Sequence, residues 1–278
     1  MARLGFLGPR GTFSQEAAEG YIKGKQEYTC VEYATITDLI LAVQTGAIDE
    51  AIVPMENSLE GAVNATMDML AGDSDIMIKD EIVIPIRQNL LIDGETSVSE
   101  LKYILSHPQG VGQCRNYIAK HFPEAEIVYV HSTAAAAEAV AKGRKQAAAI
   151  GAVAAAETYG LKILASDIQD GNNNMTRFVV LSKGDAMKTG DDRTSIVFST
   201  DDRPGSLYRV LDIFNLWDIN LTRIESRPAK NQLGSYIFFV DIEGHREDED
   251  VKDALTMVRK KVSYYKFLGS YPAHRMEQ

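Results

Sequence analysis

A change of hydrophobic period, repeated along the first two thirds of the chain, restricts its fold more than any other feature. Short apolar runs at residues 3–7, 28–33, 51–54, 81–92, 103–106, 126–130, 147–150 and 177–181 have the composition of strands. Between them, residues 14–22, 38–45, 64–70, 112–121, 133–142 and 152–159 carry the spacing of helices. Thr35, three positions before Asp38, gives the second helix a capping signature, and Gly46 ends it. Such alternation predicts an α/β fold with a mostly parallel, helix-covered sheet. Ligands of these sheets bind beyond the carboxyl ends of strands, where loops run into helix N-termini. The chemistry is expected in those loops.

The pattern changes after a polar, glycine-containing stretch at 183–192 (KGDAMKTGDD), which reads as a linker. Beyond it the sequence predicts a strand at 194–200, a helix at 206–216, strands at 219–226 and 235–243, a helix at 248–262 and a strand at 265–270. That order, βαββαβ, is ferredoxin-like. A length of 278 residues accommodates both parts as separate domains.

Charge and composition exclude several classes. The net charge is −10: residues 1–183 hold 15 Lys/Arg against 23 Asp/Glu, and residues 184–278 hold 14 against 16. Neither part has the basic footprint of a nucleic-acid binder. No apolar stretch approaches the length of a membrane span, and the N-terminus enters a strand pattern without a signal segment. Cys30 and Cys114 form no CxxC pair, which points to a reducing compartment and, with the rest, to the cytoplasm. No metal site is expected. An anionic ligand would have to be held by local devices, since the overall field repels it.

Four strand ends concentrate polar and glycine residues. In Gly8-Pro9-Arg10-Gly11-Thr12-Phe13-Ser14, Thr12 and Ser14 can cap the next helix and offer hydroxyls to an anion. In Pro54-Met55-Glu56-Asn57-Ser58-Leu59-Glu60-Gly61, a carboxylate, an amide and a hydroxyl follow one another; an Asx-type turn is the alternative use. In the loop Ser106-His107-Pro108-Gln109-Gly110-Val111-Gly112-Gln113-Cys114, His107 lacks a second ligand at metal spacing, and Cys114 falls in a helix pattern where it packs as a small apolar group. The fourth is Asn172-Asn173-Asn174-Met175-Thr176-Arg177-Phe178, where Arg177 supplies a planar charged fork for a carboxylate.

GPRGTFS, PMENSLEG, SHPQGVGQC and NMTRF, in that order, resemble the signature blocks of the prephenate dehydratase family. RPGSL (203–207) and ESRP (225–228) resemble the ligand motifs of its C-terminal ACT domain. The resemblance implies a catalytic domain at 1–183 built as two lobes like a type II periplasmic binding protein. The chain would cross between lobes near Lys79 and Ala165, giving lobes 1–79 with 165–183, and 80–164. It implies an ACT domain at 193–272. It also implies decarboxylating dehydration of prephenate, without a cofactor, with Thr176 as the essential catalytic residue. Thr12, Ser14, Glu56, Asn57, Ser58, Ser106, His107, Gln109, Asn174, Arg177 and Phe178 would form the substrate site; Glu56 is a second candidate proton donor or a turn-orienting carboxylate. L-phenylalanine would bind at Gly205, Ser206 and Leu207 together with Glu225, Ser226, Arg227 and Pro228, across paired ACT domains of a homodimer or homotetramer. The family commonly has Gly-Ala-Leu where this chain has Gly205-Ser206-Leu207. The chorismate mutase domain that precedes some relatives is not expected here. Arogenate dehydration, or non-enzymatic binding of a small anion coupled to an ACT sensor, are the competing readings.

Overall fold

A computed structural model describes residues 1–25, 27–229 and 236–274. Residues 230–234 of the loop RPAKNQLG, and Ser235 at the start of an expected strand, lie outside the described residues. The first part of the chain runs β1 (Ala2–Leu7), α1 (Phe13–Ile22), β2 (Tyr28–Tyr33), α2 (Ile36–Thr45), β3 (Glu50–Asn57), β4 (Gly61–Ala62), α3 (Asn64–Ala71) and β5 (Met77–Pro85). It continues with β6 (Asn89–Ile92), β7 (Tyr103–Ser106), α4 (Pro108–Gln113), α5 (Arg115–His121), β8 (Glu126–Tyr129), α6 (Thr133–Ala141), β9 (Ala147–Gly151), α7 (Val153–Tyr159), β10 (Lys162–Ala165) and β11 (Met175–Ser182). The remainder is β12 (Asp192–Ser199), α8 (Ser206–Leu216), β13 (Leu221–Pro228), β14 (Tyr236–Glu243), α9 (Glu249–Lys261) and β15 (Tyr264–Pro272).

Three sheets result. The first has the order β2-β1-β3-β11-β5, with β4 added to β3; the second has the order β10-β6-β9-β7-β8. The run expected as one strand over 81–92 is therefore two strands in different sheets. The chain changes sheet at 86–88, where Ile86 N–H donates to Asn174 O (2.8 Å) and Ile168 N–H to Gln88 O (2.9 Å). These bonds tie the outgoing crossing to the returning one between Ala165 and Met175. Lys79, where the first crossing was expected, sits inside β5. The second sheet is mixed rather than mostly parallel: β7 runs parallel to β8 and β9, but β6 runs antiparallel to β9 and β10. Lys162–Ala165 escaped notice because half of this short strand is exposed and its apolar signal is weak. The helix expected over 112–121 begins earlier, with Pro108 at its first position, and breaks at Cys114 (φ −119°, ψ 19°).

The second sheet buries both faces. Leu91, Leu105 and Ala149 pack with Ala136, Ala137, Val140 and Ala155 of α6 and α7 on one side. Leu90, Ile104 and Ala148 pack with Val111 of α4, Cys114 at the break and Ile118 of α5 on the other. Alternate strand residues point to opposite faces, and the alanines let the helices approach closely.

The third sheet has the order β13-β14-β12-β15, with each neighbouring pair antiparallel, as the ferredoxin-like pattern requires. Ile196, Phe198, Val240 and Ile242 face Val210, Ile213, Phe214, Val251, Ala254 and Val258 of α8 and α9. The 183–192 stretch is fixed, not slack: Lys188 pairs with Asp248, Asp185 with Arg246, and Thr189 Oγ1 donates to Asp192 Oδ1 (2.7 Å).

By backbone proximity the chain forms two compact units: Met1–Leu39 with Ile52–Gly61 and Val83–Phe178, and Ile40–Ala51 with Ala62–Ile82 and Val179–Gln278. Within the second, β15 meets β5 backbone to backbone. Gly269 has φ +143°, and a Cβ there would lie 2.1 Å from Ile78 O, so only glycine fits. Beside it, Arg193 Nη1 donates to both oxygens of the buried Glu81 carboxylate at 2.7 Å, and His274 N–H adds a third bond at 2.9 Å. Among the described residues, no helix is long and apolar enough to cross a membrane.

Candidate active site

The site grows from the junction between the end of β3 and the start of β11. Asn57 Oδ1 accepts the backbone N–H groups of Leu59 (2.9 Å) and Glu60 (3.0 Å), an Asx turn that ends the strand. Those two bonds fix which end of the amide is oxygen and aim Nδ2 the other way. Nδ2 donates to Asn174 Oδ1 (2.7 Å), Met175 O (3.1 Å) and Thr176 Oγ1 (2.8 Å). Ser58 closes the junction: its hydroxyl donates to Asn173 O (2.8 Å) and accepts from Met175 N–H (3.0 Å), while its own N–H donates to Met175 O (2.9 Å). The turn and site readings of this segment thus describe one arrangement, in which the turn orients the amide.

The consequence for Thr176 is specific. Its hydroxyl accepts from Asn57, and among the described residues no acceptor takes its proton. A hydroxyl that accepts a hydrogen bond is a better donor, more so in a buried setting. Thr176 is 7% exposed, and Asn174, Arg177 and Phe178 beside it are equally enclosed. Asn174 Nδ2 is buried with no hydrogen-bond partner among the described residues, a second unspent donor next to the first. Glu56 is half-buried, the next-to-last residue of β3.

The other two loops belong to the same compact unit, but no described hydrogen bond joins them to Thr176. Thr12 is the N-cap of α1: its hydroxyl accepts from Gln15 N–H (3.4 Å) and donates to Leu7 O (3.2 Å). Ser14 is buried in the first turn. His107 caps α4, its Nδ1 accepting Gln109 N–H (3.3 Å), and Ser106 donates to Ile150 O (3.0 Å) with no exposure. The Gln109 side chain is on the exposed face of α4. Burial, then the neighbouring Asp170, pushes the Cys114 thiol up to about 12, so it stays protonated and packs as an apolar group.

Sequence reasoning missed the side chains that fasten these loops. Glu16 Oε1 accepts Ala154 N–H (3.0 Å) at the start of α7, which has no capping side chain of its own. Burial raises the carboxyl of Glu16, opposed by the N–H groups of Ala154 and Val153. Gly11 (φ +81°) leaves no room for a Cβ against Ala155 and Tyr159, both 3.0 Å away, and Tyr159 donates to Arg10 O. The third loop is tied by Gln88 Nε2 to Gln113 Oε1 (3.0 Å) and by Asp170 N–H to Gln113 O (2.7 Å). None of these residues carries a local pattern; each is recognisable only by its distant partner.

In the C-terminal part, Gly205, Ser206 and Leu207 line a cavity of about 330 Å³ with Asp201, Arg203 and Phe238. Glu225, Ser226, Arg227 and Pro228 lie on the edge strand β13. By register, Ser226 pairs with Phe238 and Pro228 with Tyr236, both of which line the cavity. Arg227 turns away, toward Asn64 and Asp68 of α3.

The family model described as Prephenate dehydratase matches residues 4–186, and the one described as ACT domain matches 194–256. The bifunctional chorismate mutase/prephenate dehydratase of Aquifex aeolicus is 42% identical over 99% of this chain and 75% of its own length. The crystal structure of prephenate dehydratase from Arthrobacter aurescens in complex with L-Phe superposes with a TM-score of 0.90 at 36% identity, covering 98% of this chain and 90% of that one. A structure described as a novel type of quorum quenching acylase also superposes, with a TM-score of 0.88 at 29% identity over 98% of both chains. The chain belongs to the prephenate dehydratase family.

Proposed function

We propose that this protein converts prephenate to phenylpyruvate by loss of carbon dioxide and water, under feedback control by L-phenylalanine. The observation that carries the reading is the Thr176 hydroxyl, which accepts from the Asn57 amide and keeps its own proton to give. The electron pair of the breaking carbon–carboxylate bond enters the ring and expels the ring hydroxyl. That group leaves as water once it receives a proton, and the ring becomes aromatic, so no redox partner is needed. Thr176 delivers or relays that proton, with Glu56 as the second candidate source. General acid assistance of this kind is worth about 10²–10⁴-fold. Arg177, with Asn57, Ser58, Asn174, Thr12 and Gln109, holds the substrate carboxylates by charge-assisted hydrogen bonds, and Ser14, Ser106, His107 and Phe178 complete the site. An acylase reading fares worse, because a threonine nucleophile needs a base and the Thr176 hydroxyl meets an amide donor instead.

The catalytic domain spans 1–183 and the ACT domain 193–272. Phenylalanine occupies the cavity at Gly205–Leu207, completed by Ser226 and Pro228. Exposed Tyr208, Leu216, Ile224 and Tyr236 supply apolar surface for pairing ACT domains in a homodimer or homotetramer. Free Cys30 and Cys114 suit the cytoplasm. Assaying the purified protein with prephenate and with arogenate tests the assignment. Phenylpyruvate release from prephenate is expected; turnover of arogenate alone would move the chain to the sister activity, and turnover of neither would reduce it to an anion binder.

A further inference from the structure

The third sheet has two buried faces, and its own helices cover only one. Strand register assigns the faces. Val197 pairs with Phe239 and Lys266, Ser195 with Asp241, and Arg223, Glu225 and Arg227 with Asp241, Phe239 and Ile237. These residues therefore share the side opposite α8 and α9. Val197, Phe239, Ser195 and Asp241 on it are at most 1% exposed.

Two elements lie against this face: β5, where Glu81 and Ile78 meet Arg193 and Gly269, and α3. Arg227 bonds Asn64 Oδ1 in the first turn of α3 and pairs with Asp68 one turn further on (3.0 Å). At mid-helix Arg223 Nη2 reaches Met67 Sδ (3.7 Å). At its last turn Lys266 Nζ donates to Leu70 O (2.7 Å), Gly72 O (2.5 Å) and Ser74 Oγ (3.1 Å), and Tyr264 donates to Ala71 O (2.8 Å). Arg227 lies on β13 and Lys266 on β15, the two edges of the sheet. Eight helical residues span about 12 Å, and three inter-strand spacings about 14 Å, so α3 crosses the sheet from edge to edge. Along the chain, Ala62 and Val63 alone separate α3 from Asn57–Gly61, and the boundary between the compact units falls between Gly61 and Ala62.

We propose that Arg227 is a transmitting residue rather than a phenylalanine ligand: it clamps α3, and through α3 the regulatory sheet sets the position of the turn that carries Asn57 and Ser58. The ESRP segment is built for this by strand alternation. Ser226 and Pro228 stand beside the cavity-lining Phe238 and Tyr236, while Glu225 and Arg227 point to the α3 side. Any change in the backbone of β13 on the cavity side is felt on the other side one residue away. The proposal rests on the reading that phenylalanine occupies that cavity and inhibits.

Its test separates binding from inhibition. Asp68→Asn removes the charge that Arg227 grips and lies outside both the effector motif and the substrate site. Phenylalanine affinity is measured by calorimetry and inhibition by initial rates, for wild type, Asp68→Asn and Arg227→Ala. Expected is a calorimetric Kd within about threefold of wild type in both variants, with the inhibiting concentration raised about tenfold or more, within the usual range of such couplings. Basal kcat/KM of Asp68→Asn stays within about threefold of wild type on the same expectation. Parallel loss of affinity and inhibition in Arg227→Ala would make Arg227 a ligand and overturn the proposal. Unchanged inhibition in Asp68→Asn would overturn the clamp while leaving effector binding intact. A wild-type protein that neither binds nor responds to phenylalanine would remove the sensing assignment and the clamp together.

Discussion

Two nitrogen-bearing side chains, Asn174 and Lys266, show how differently this molecule uses buried donors. Lys266 has three ammonium protons and three acceptors, all at the end of α3. Asn174 accepts from Asn57, yet its own amide N–H groups are buried without a described partner, next to a threonine proton that is also unclaimed. Leaving a buried donor unmade costs about 1–3 kcal/mol, so folding alone would have paired it. Lys266 spends every proton on architecture, whereas at the β3–β11 junction the Asn174 amide and the Thr176 hydroxyl keep protons that no described residue accepts.

Three substitutions bear on that contrast, the largest effect first. Thr176→Ala is expected to cut kcat by about 10²–10⁴ with a melting point close to wild type, since Asn57 keeps two of its three acceptors. A rate near wild type would place the reserved proton elsewhere, and a rise in KM alone would make Thr176 a binding group.

Gly269→Ala acts on the scaffold side. Its Cβ would meet the carbonyl of Ile78 at 2.1 Å, and backbone cannot yield as a side chain does. A loss of about 3 kcal/mol or more is expected in urea unfolding, with kcat of the folded protein little changed. A loss below about 1 kcal/mol would mean that β15 and β5 are not locked together.

Glu16→Gln has the smallest effect and a defined sign. Burial raises the folded-state pKa of Glu16 above the ordinary 4.5. Its contribution to stability is therefore fully present below that value and is lost as pH rises through the raised one. The variant keeps an oxygen for Ala154 N–H without the desolvated charge. Wild type should lose stability relative to the variant between acidic and neutral pH, by a fraction of a kcal/mol in thermal melts. The opposite slope would mean that the α7 N-terminus outweighs desolvation.

How much of this was legible beforehand depends on the range of the interaction. Helix α8 falls at 206–216, where periodicity alone puts it, because its apolar spacing and the preceding glycine are local signals. The run 81–92 misled because apolar composition cannot report that Ile86 donates to Asn174 and not along a strand. Asn57 and Thr176 stood out as polar residues at strand ends, but their pairing spans 119 positions and has no local trace. The clamp on α3 was half visible. Charges at 223, 225 and 227 alternate with Ile224, Ser226 and Pro228, so a two-faced strand could be read, though not what lay under the charged face.

The edge-to-edge seat of α3 bears on how this enzyme can be recombined. A regulatory module cut out at the 183–192 stretch would carry away a sheet with Val197 and Phe239 stripped of their cover and leave an orphaned helix behind. A working chimera would have to exchange residues 62–82 along with the C-terminal part. The heritable unit of control is then discontinuous in sequence. Inserting a single residue into α3 would turn everything after it by about 100° and unseat one end or the other, so the length of this helix is as constrained as its composition.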